Sequence, residues 1–381
     1  MAIVYTTALS ESKWLLSENN NILEFYDDSI TRTPSYCEID ITGIETIRLY
    51  PHPDGSFWFN CKDYISSLLN NYEDDLDFST INPLDIDTFV YDWSRIYLNV
   101  DFDITITFTN AETETDTVTP FFLLSAQQLK DYKKGRTIVN NTNTILSPVG
   151  LNASTRFYLK YWDGYPFDFG YVRDFNAATS PQTITNNTNV ITSPNIALTT
   201  EVSRIVLSNG ETTTTLEDYL PLVTGYNELE FNNDIFIDLW KFEATCGVYL
   251  KWLNEFGCYN YWLFNEQHES TLSSKSRGVI NNDFKNIADT VSTFKSLGRN
   301  IGEQMSISVD FLTADDINVL KGIVTSPKVY LFTGERFTDN TFNDWIEVDL
   351  SNKEIAIRDF KNNVPEINLT LNLPNYYTIN L

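Results

Sequence analysis

Basic side chains are scarce in this sequence: 26 Lys and Arg stand against 52 Asp and Glu, for a net charge of −26. A protein that grips a nucleic-acid duplex neutralises phosphates with clustered Lys and Arg. No such cluster is present, so specific nucleic-acid binding is not expected. Histidine is nearly missing, with only His52 and His268. The four cysteines, Cys37, Cys61, Cys246 and Cys258, are too few and too dispersed for a disulfide scaffold. A zinc site could draw only on Cys246, Cys258 and His268, whose C-x11-C-x9-H spacing matches no common site. Small buried thiols are the simpler reading. No apolar run approaches the ~18 residues that a membrane span requires. The first residues lack a basic stretch followed by a long apolar core, so no signal peptide is expected. Synthesis and folding in a reducing cytosol follow as an expectation.

Catalytic signatures are missing as well. The chain has no G-x-S-x-G elbow, no phosphate-binding loop and no G-x-G-x-x-G. The acid pairs Asp27-Asp28, Asp74-Asp75 and Asp315-Asp316 sit in loop-like or helix-start settings, not in a recognisable cleft-flanking arrangement. The acidic loop 73–87 lacks the D-x-D-x-D-G order of a calcium loop. No catalysis, metal or cofactor is therefore expected.

What the sequence has in plenty is aromatic and β-branched residues. Hydrophobic residues make up 42% and aromatics 14%, which leaves little room for extensive disorder. Thr, Asn, Ile, Phe and Tyr favour strands and turns, punctuated by only 15 Gly and 13 Pro. The densest stretch is 246–264, where Leu250, Trp252, Leu253, Phe256, Tyr259, Trp262, Leu263 and Phe264 form a hydrophobic slab. The expected fold is mainly β with a few short helices (α+β), as β-sandwich or barrel-like domains with helices packed on the sheets.

At 381 residues, two or three domains are expected. The boundaries read as an acidic N-terminal β domain over 1–130, a duplicated β insertion over 131–230, and a C-terminal α+β domain over 231–381 packing with the first. Residues 1–130 hold 22 acids against 6 bases. Such a surface gives solubility, and it could also repel DNA along a conduit.

Several local elements are legible. Residues 44–49, a Pro/Asp-Gly turn and 56–60 read as a hairpin. A helix follows, capped by Asn60 and carrying Ile65, Leu68, Leu69 and Tyr72 on one face. Residues 96–108 alternate apolar and polar strictly, predicting one long strand that returns through 118–124. Phe284, Ile287, Ala288 and Val291 predict a helix ending near Gly298. Thr313 to Asp316 reads as a capping box opening another, with Ile317, Leu320 and Val324 inward. Strands are expected at 328–332, 345–350, 354–357 and 366–373.

The middle region contains a duplication: 137–148 and 183–194 match at nine of twelve positions. Each copy is followed by an Arg-initiated apolar run and a turn, as expected for two related β units. The NNTN pieces, with Asn141 and Asn187, read as loop tips able to hydrogen-bond a neighbour. The turn 162–170 is dense with aromatics. Core packing is its plain reading. The sharper reading is a protruding tip whose Trp162, Tyr165, Phe167 and Asp168 contact another subunit or the host.

Certain pieces, taken in order, resemble a family of tail-associated structural proteins from bacteriophages of Bacteroidetes hosts. They are PDGSFWFN at 53–60 with its following helix, DGYPFD at 163–168, CGVYLKWLN at 246–254 with YWLF at 261–264, and the helix-then-strands ending over 312–348. The resemblance implies a non-enzymatic virion part, most like a ring at the distal tail or baseplate around the DNA channel. Its partners would be copies of itself and other tail proteins, with sixfold symmetry by analogy with distal tail proteins. Each protomer of such a ring must present two unlike, complementary faces. Alternatives are a receptor- or carbohydrate-binding virion protein, or a tail-tube or neck component.

Overall fold

The computed structural model describes residues 2–29, 31–70, 90–128, 138, 142–149, 155–174, 181–197, 200–210, 216–231, 235–243, 246–265, 267–338, 340, 344–351, 366–374 and 377–378. The expectation of a mainly β chain with a few short helices holds: half the chain is strand and a tenth is helix. No described helix is long and apolar enough to cross a membrane.

Two buried clusters organise the molecule. The smaller draws only on residues 3–122. One of its sheets has the order Ile3–Thr7, Ile22–Asp27, Phe57–Asn60; another runs Thr113–Val118, Phe102–Phe108, Pro34–Ile41, Ile47–Leu49. Strict alternation along Phe102–Phe108 puts Phe102, Ile104, Ile106 and Phe108 inside, against Cys37 and Ile39 of the neighbouring strand. The buried thiols of Cys37 and Cys61 are pushed up to about 12 by burial, so they are neutral packing groups.

The larger cluster runs from Trp14 to Leu371 and includes the middle of the chain. The described residues of 131–230 therefore share one continuous core with the C-terminal third instead of standing apart as a peripheral unit. The reason lies in strand pairing. Arg156–Trp162 is parallel to Ile235–Phe242 across the proposed boundary at 230. Val202–Asn209 likewise pairs with Val90–Asp92 from the first third.

Three other expectations are corrected. Strands Ile47–Leu49 and Phe57–Asn60 flank a tight turn, closed by His52 N–H to Ser56 O at 2.8 Å, but they join different sheets and form no hairpin. The alternating run 96–108 is broken: a 3-10 turn at Ser94–Ile96 and a short strand, Tyr97–Asn99, precede Phe102–Phe108. Tyr97–Asn99 pairs with Phe121–Leu123 in a separate sheet, so the period survives the break while the partner changes. The helix expected at 284–291 is the tip of a hairpin, with only a 3-10 turn at Ile287–Asp289. Thr290, Val291 and Thr293 form a β-branched run that disfavours helix.

The remaining helices behave as their sequences imply. Lys62–Leu69 buries Ile65 and Leu69, although its cap residue is Cys61 and Asn60 Oδ1 accepts from Lys62 N–H at 3.2 Å. Ala314–Thr325 has a full capping box: Thr313 Oγ1 accepts from Asp316 N–H, and Asp316 Oδ2 accepts from Thr313 N–H. In the second repeat copy, Ile184–Asn186 and Ile191–Thr192 pair as a small hairpin around the NNTN turn. In the first copy, Thr144–Ile145 pairs instead with Pro166–Val172. The counterpart of Ile184–Asn186 in the first copy falls largely outside the described residues. The strand expected at 354–357 and Asn141 lie outside the described residues.

Candidate assembly surface

The turn at 162–170 is internal. Trp162, Tyr165, Phe167 and Asp168 are all buried, so the protruding tip is corrected to a core element. Gly164, at φ 77°, lets the chain reverse between Arg156–Trp162 and Pro166–Val172. That reversal stacks aromatics inward: Trp162 meets Trp262 at 5.2 Å and Tyr165 meets Tyr249 at 4.3 Å between ring centroids. Gly170 is required by close approach, since a Cβ there would lie 2.1 Å from Cys258 Sγ.

Asp168 has a structural task. Its Oδ2 accepts from Arg204 Nη2 at 2.5 Å and from Tyr261 Oη at 2.6 Å, and the Arg204 guanidinium lies over the Trp93 and Tyr259 rings. Burial raises the Tyr261 hydroxyl well above the ordinary phenol value, so it stays a donor. Asn187 is also engaged within the chain, donating to Glu228 Oε1 at 3.2 Å and Glu230 Oε2 at 2.6 Å. Cys246 and Cys258 sit at opposite ends of the pairing between Val248–Leu253 and Tyr259–Phe264. Asp27 pairs with Arg32, and Asp316 pairs with Lys160 at 2.7 Å. Asp74, Asp75 and loop 73–87 lie outside the described residues.

A cluster of exposed apolar side chains lies elsewhere, on an arm that was not foreseen. His268–Ser276 and Arg299–Val309 pair antiparallel over nine positions. At the base, Ile367–Asn372 adds a third strand from Gln304 to Val309. Beyond Gln304 the two strands run on, with Leu373 N–H reaching Glu303 O at 3.1 Å and Thr378 Oγ1 reaching Arg299 O at 2.8 Å, to a smaller pairing of Val279–Asn281 with Phe294–Ser296. At ~3.4 Å per residue, His268–Ser276 alone spans roughly 30 Å.

Side-chain alternation gives the arm an apolar side. Ile307 is buried at the base, Met305 and Ile301 on the same face are half-buried, and Leu272 beside them is exposed. At the tip, Phe284 is 78%, Ile287 92% and Val291 107% exposed, with Val279, Ile280 and Phe294 also open. Glu303, Ser270 and Ser274 interrupt this face, so the exposed apolar side chains gather mainly at the tip, and such a cluster marks a contact site. The arm also differs in charge. Residues 270–302 carry five bases and two acids, net +3, leaving −29 for the rest of the chain.

One solvent-facing sheet surface is unusual in the opposite sense. Tyr226 and Trp240 are cross-strand partners with rings 5.6 Å apart, and both stand over a third exposed, as does Phe242 on the same strand face as Trp240. Around them lie Glu228, Glu230 and Asp238, with Arg156 bound to Glu228 at 2.8 Å and to Asp238 at 2.5 Å. Arg156 holds the Glu228 carboxyl below its ordinary range, which keeps it ionised. The Tyr226 hydroxyl is pushed up to about 12 by burial and by its hydrogen bond to Asp238.

Comparison with protein-family models and with curated protein sequences finds no match. Among solved structures, the fibronectin(III)-like modules of Clostridium thermocellum CbhA match at TM-score 0.17 and 8% identity, covering 64% of this chain and 95% of theirs. Protocadherin gamma B7 extracellular cadherin domains 1–4 match at TM-score 0.17 and 8% identity, covering 80% and 72%. Superpositions this loose bear on neither fold nor function.

Proposed function

We propose that this chain is a non-enzymatic structural protein that assembles with copies of itself. Its place would be a phage tail, as a ring at the distal tail or baseplate around the DNA channel. The observation that carries self-association is the arm: a polypeptide projection with large apolar side chains at its tip. Covering Phe284, Ile287, Val291 and Phe294 would contribute roughly 1.5–3 kcal/mol each, enough to offset part of the cost of bringing two molecules together. The tail assignment rests on the ordered resemblance of residues 53–60, 163–168, 246–264 and 312–348. The −16 balance of residues 1–130 supports a conduit that DNA passes without sticking.

Sedimentation of the full chain over a wide concentration range, with negative-stain imaging of the heaviest species, tests this. Closed rings are expected. A chain that stays monomeric at high concentration, or is missing from purified virions, would overturn the reading. The position of labelled chains along the particle separates a baseplate ring from a tube or neck.

A further inference from the structure

We infer that the arm of one copy seats on the Tyr226–Trp240 face of a second copy, head to tail; this rests on the self-association proposed above. The arm and the face are unlike and complementary. The arm offers exposed apolar side chains and five exposed bases, Lys275, Arg277, Lys285, Lys295 and Arg299, against the acids Asp283 and Asp289. The face offers exposed aromatic rings beside Glu228, Glu230 and Asp238, with Arg156 already paired to the first and third and Lys160 next to Trp240, so the acids outnumber the bases by one. Aromatic and basic side chains meeting across acidic neighbours give both burial and orientation.

The occupant is a second copy because the arm's positive charge has its complement in the −29 of this same chain. Another exposed aromatic pair, Tyr26 and Trp58, serves as the competing site. Trp58 lies beside Glu24 but faces no cross-strand aromatic, whereas Tyr226 and Trp240 form a joined platform. Two unlike surfaces on one protomer also give the heterologous contact from which rings are built.

The test uses the full chain in three forms. An arm variant carries Phe284→Ser and Ile287→Ser, a face variant carries Tyr226→Ser and Trp240→Ser, and a control carries Trp58→Ser. Circular dichroism and melting checks that each is folded. A second face variant, Asp238→Lys with Glu230→Lys, stands in should the serine pair unfold. Arm and face variants should each lose self-association by roughly thirtyfold or more, while the control behaves as wild type. An equimolar mixture of arm and face variants should form dimers and nothing larger, since one intact arm then meets one intact face. Wild-type assembly with an unaffected face variant, or with loss in the Trp58→Ser control, or with no dimer in the mixture, overturns this docking while leaving self-association standing. A monomeric wild type removes both.

Discussion

Two successive hairpins of this chain meet opposite fates. In Val248–Leu253 and Tyr259–Phe264, all twelve residues are buried. A few residues later, all nine of His268–Ser276 are exposed. Composition accounts for part of this, since VYLKWL and YNYWLF are polar only at Lys251 and Asn260, whereas HESTLSSKS carries Leu272 among polar side chains. The first is enclosed because its own chain supplies partners on both sides: Val329–Phe332 at its edge, and the Arg156–Trp162 and Pro166–Val172 strands against it. Even Lys251 is held inside, its ammonium facing the rings of Tyr259, Tyr330 and Trp345. The second hairpin, among the described residues, is flanked by Ile367–Asn372 at its base and touched by Thr378 at Arg299. Burial thus follows both the apolar content of a strand and the neighbours its chain provides, and among the described residues the outer arm has few of either.

The strongest way to break the contrast is to damage the enclosed side. Asp168→Ala leaves the buried Arg204 guanidinium without its carboxylate and is expected to cost about 3–5 kcal/mol. Chemical denaturation of the purified variant reads this directly, and an unchanged midpoint would refute the structural role given to Asp168. Gly170→Ala should cost about 1–3 kcal/mol, because the new methyl collides with Cys258 Sγ. Adding Cys258→Ala should recover part of that loss, which a double-mutant cycle measures; strict additivity would count against the contact. On the open side, Phe284→Ser should change unfolding stability by no more than about 0.5 kcal/mol, while self-association falls. A large drop in melting temperature would mean that the phenyl ring packs within its own molecule.

Much of the enclosed half was legible in the sequence. The period-two run ending at Phe108, the capping box at Thr313 and the aromatic slab at 246–264 all state a local rule that packing then obeys. What the residues could not state was pairing between distant segments. Nothing near Arg156–Trp162 announces Ile235–Phe242 as its parallel neighbour, and the turn at Asp163-Gly164 looks the same whether its aromatics face in or out. That is why Trp162, Tyr165 and Phe167 read as candidates for contact outside the chain. The arm was missed because the spacing of Phe284, Ile287 and Val291 suits a helix as well as a loop tip. A usable signal was present in the charges: Lys275 to Arg299 form a basic island within an otherwise acidic chain.

The anchoring of the arm sets an order of events during synthesis. Its second strand, Arg299–Val309, gains a flanking partner only from Ile367–Asn372, about sixty residues further along. A nascent polypeptide still short of that strand holds an arm fastened on one side alone. Firm presentation of the tip thus waits for late translation.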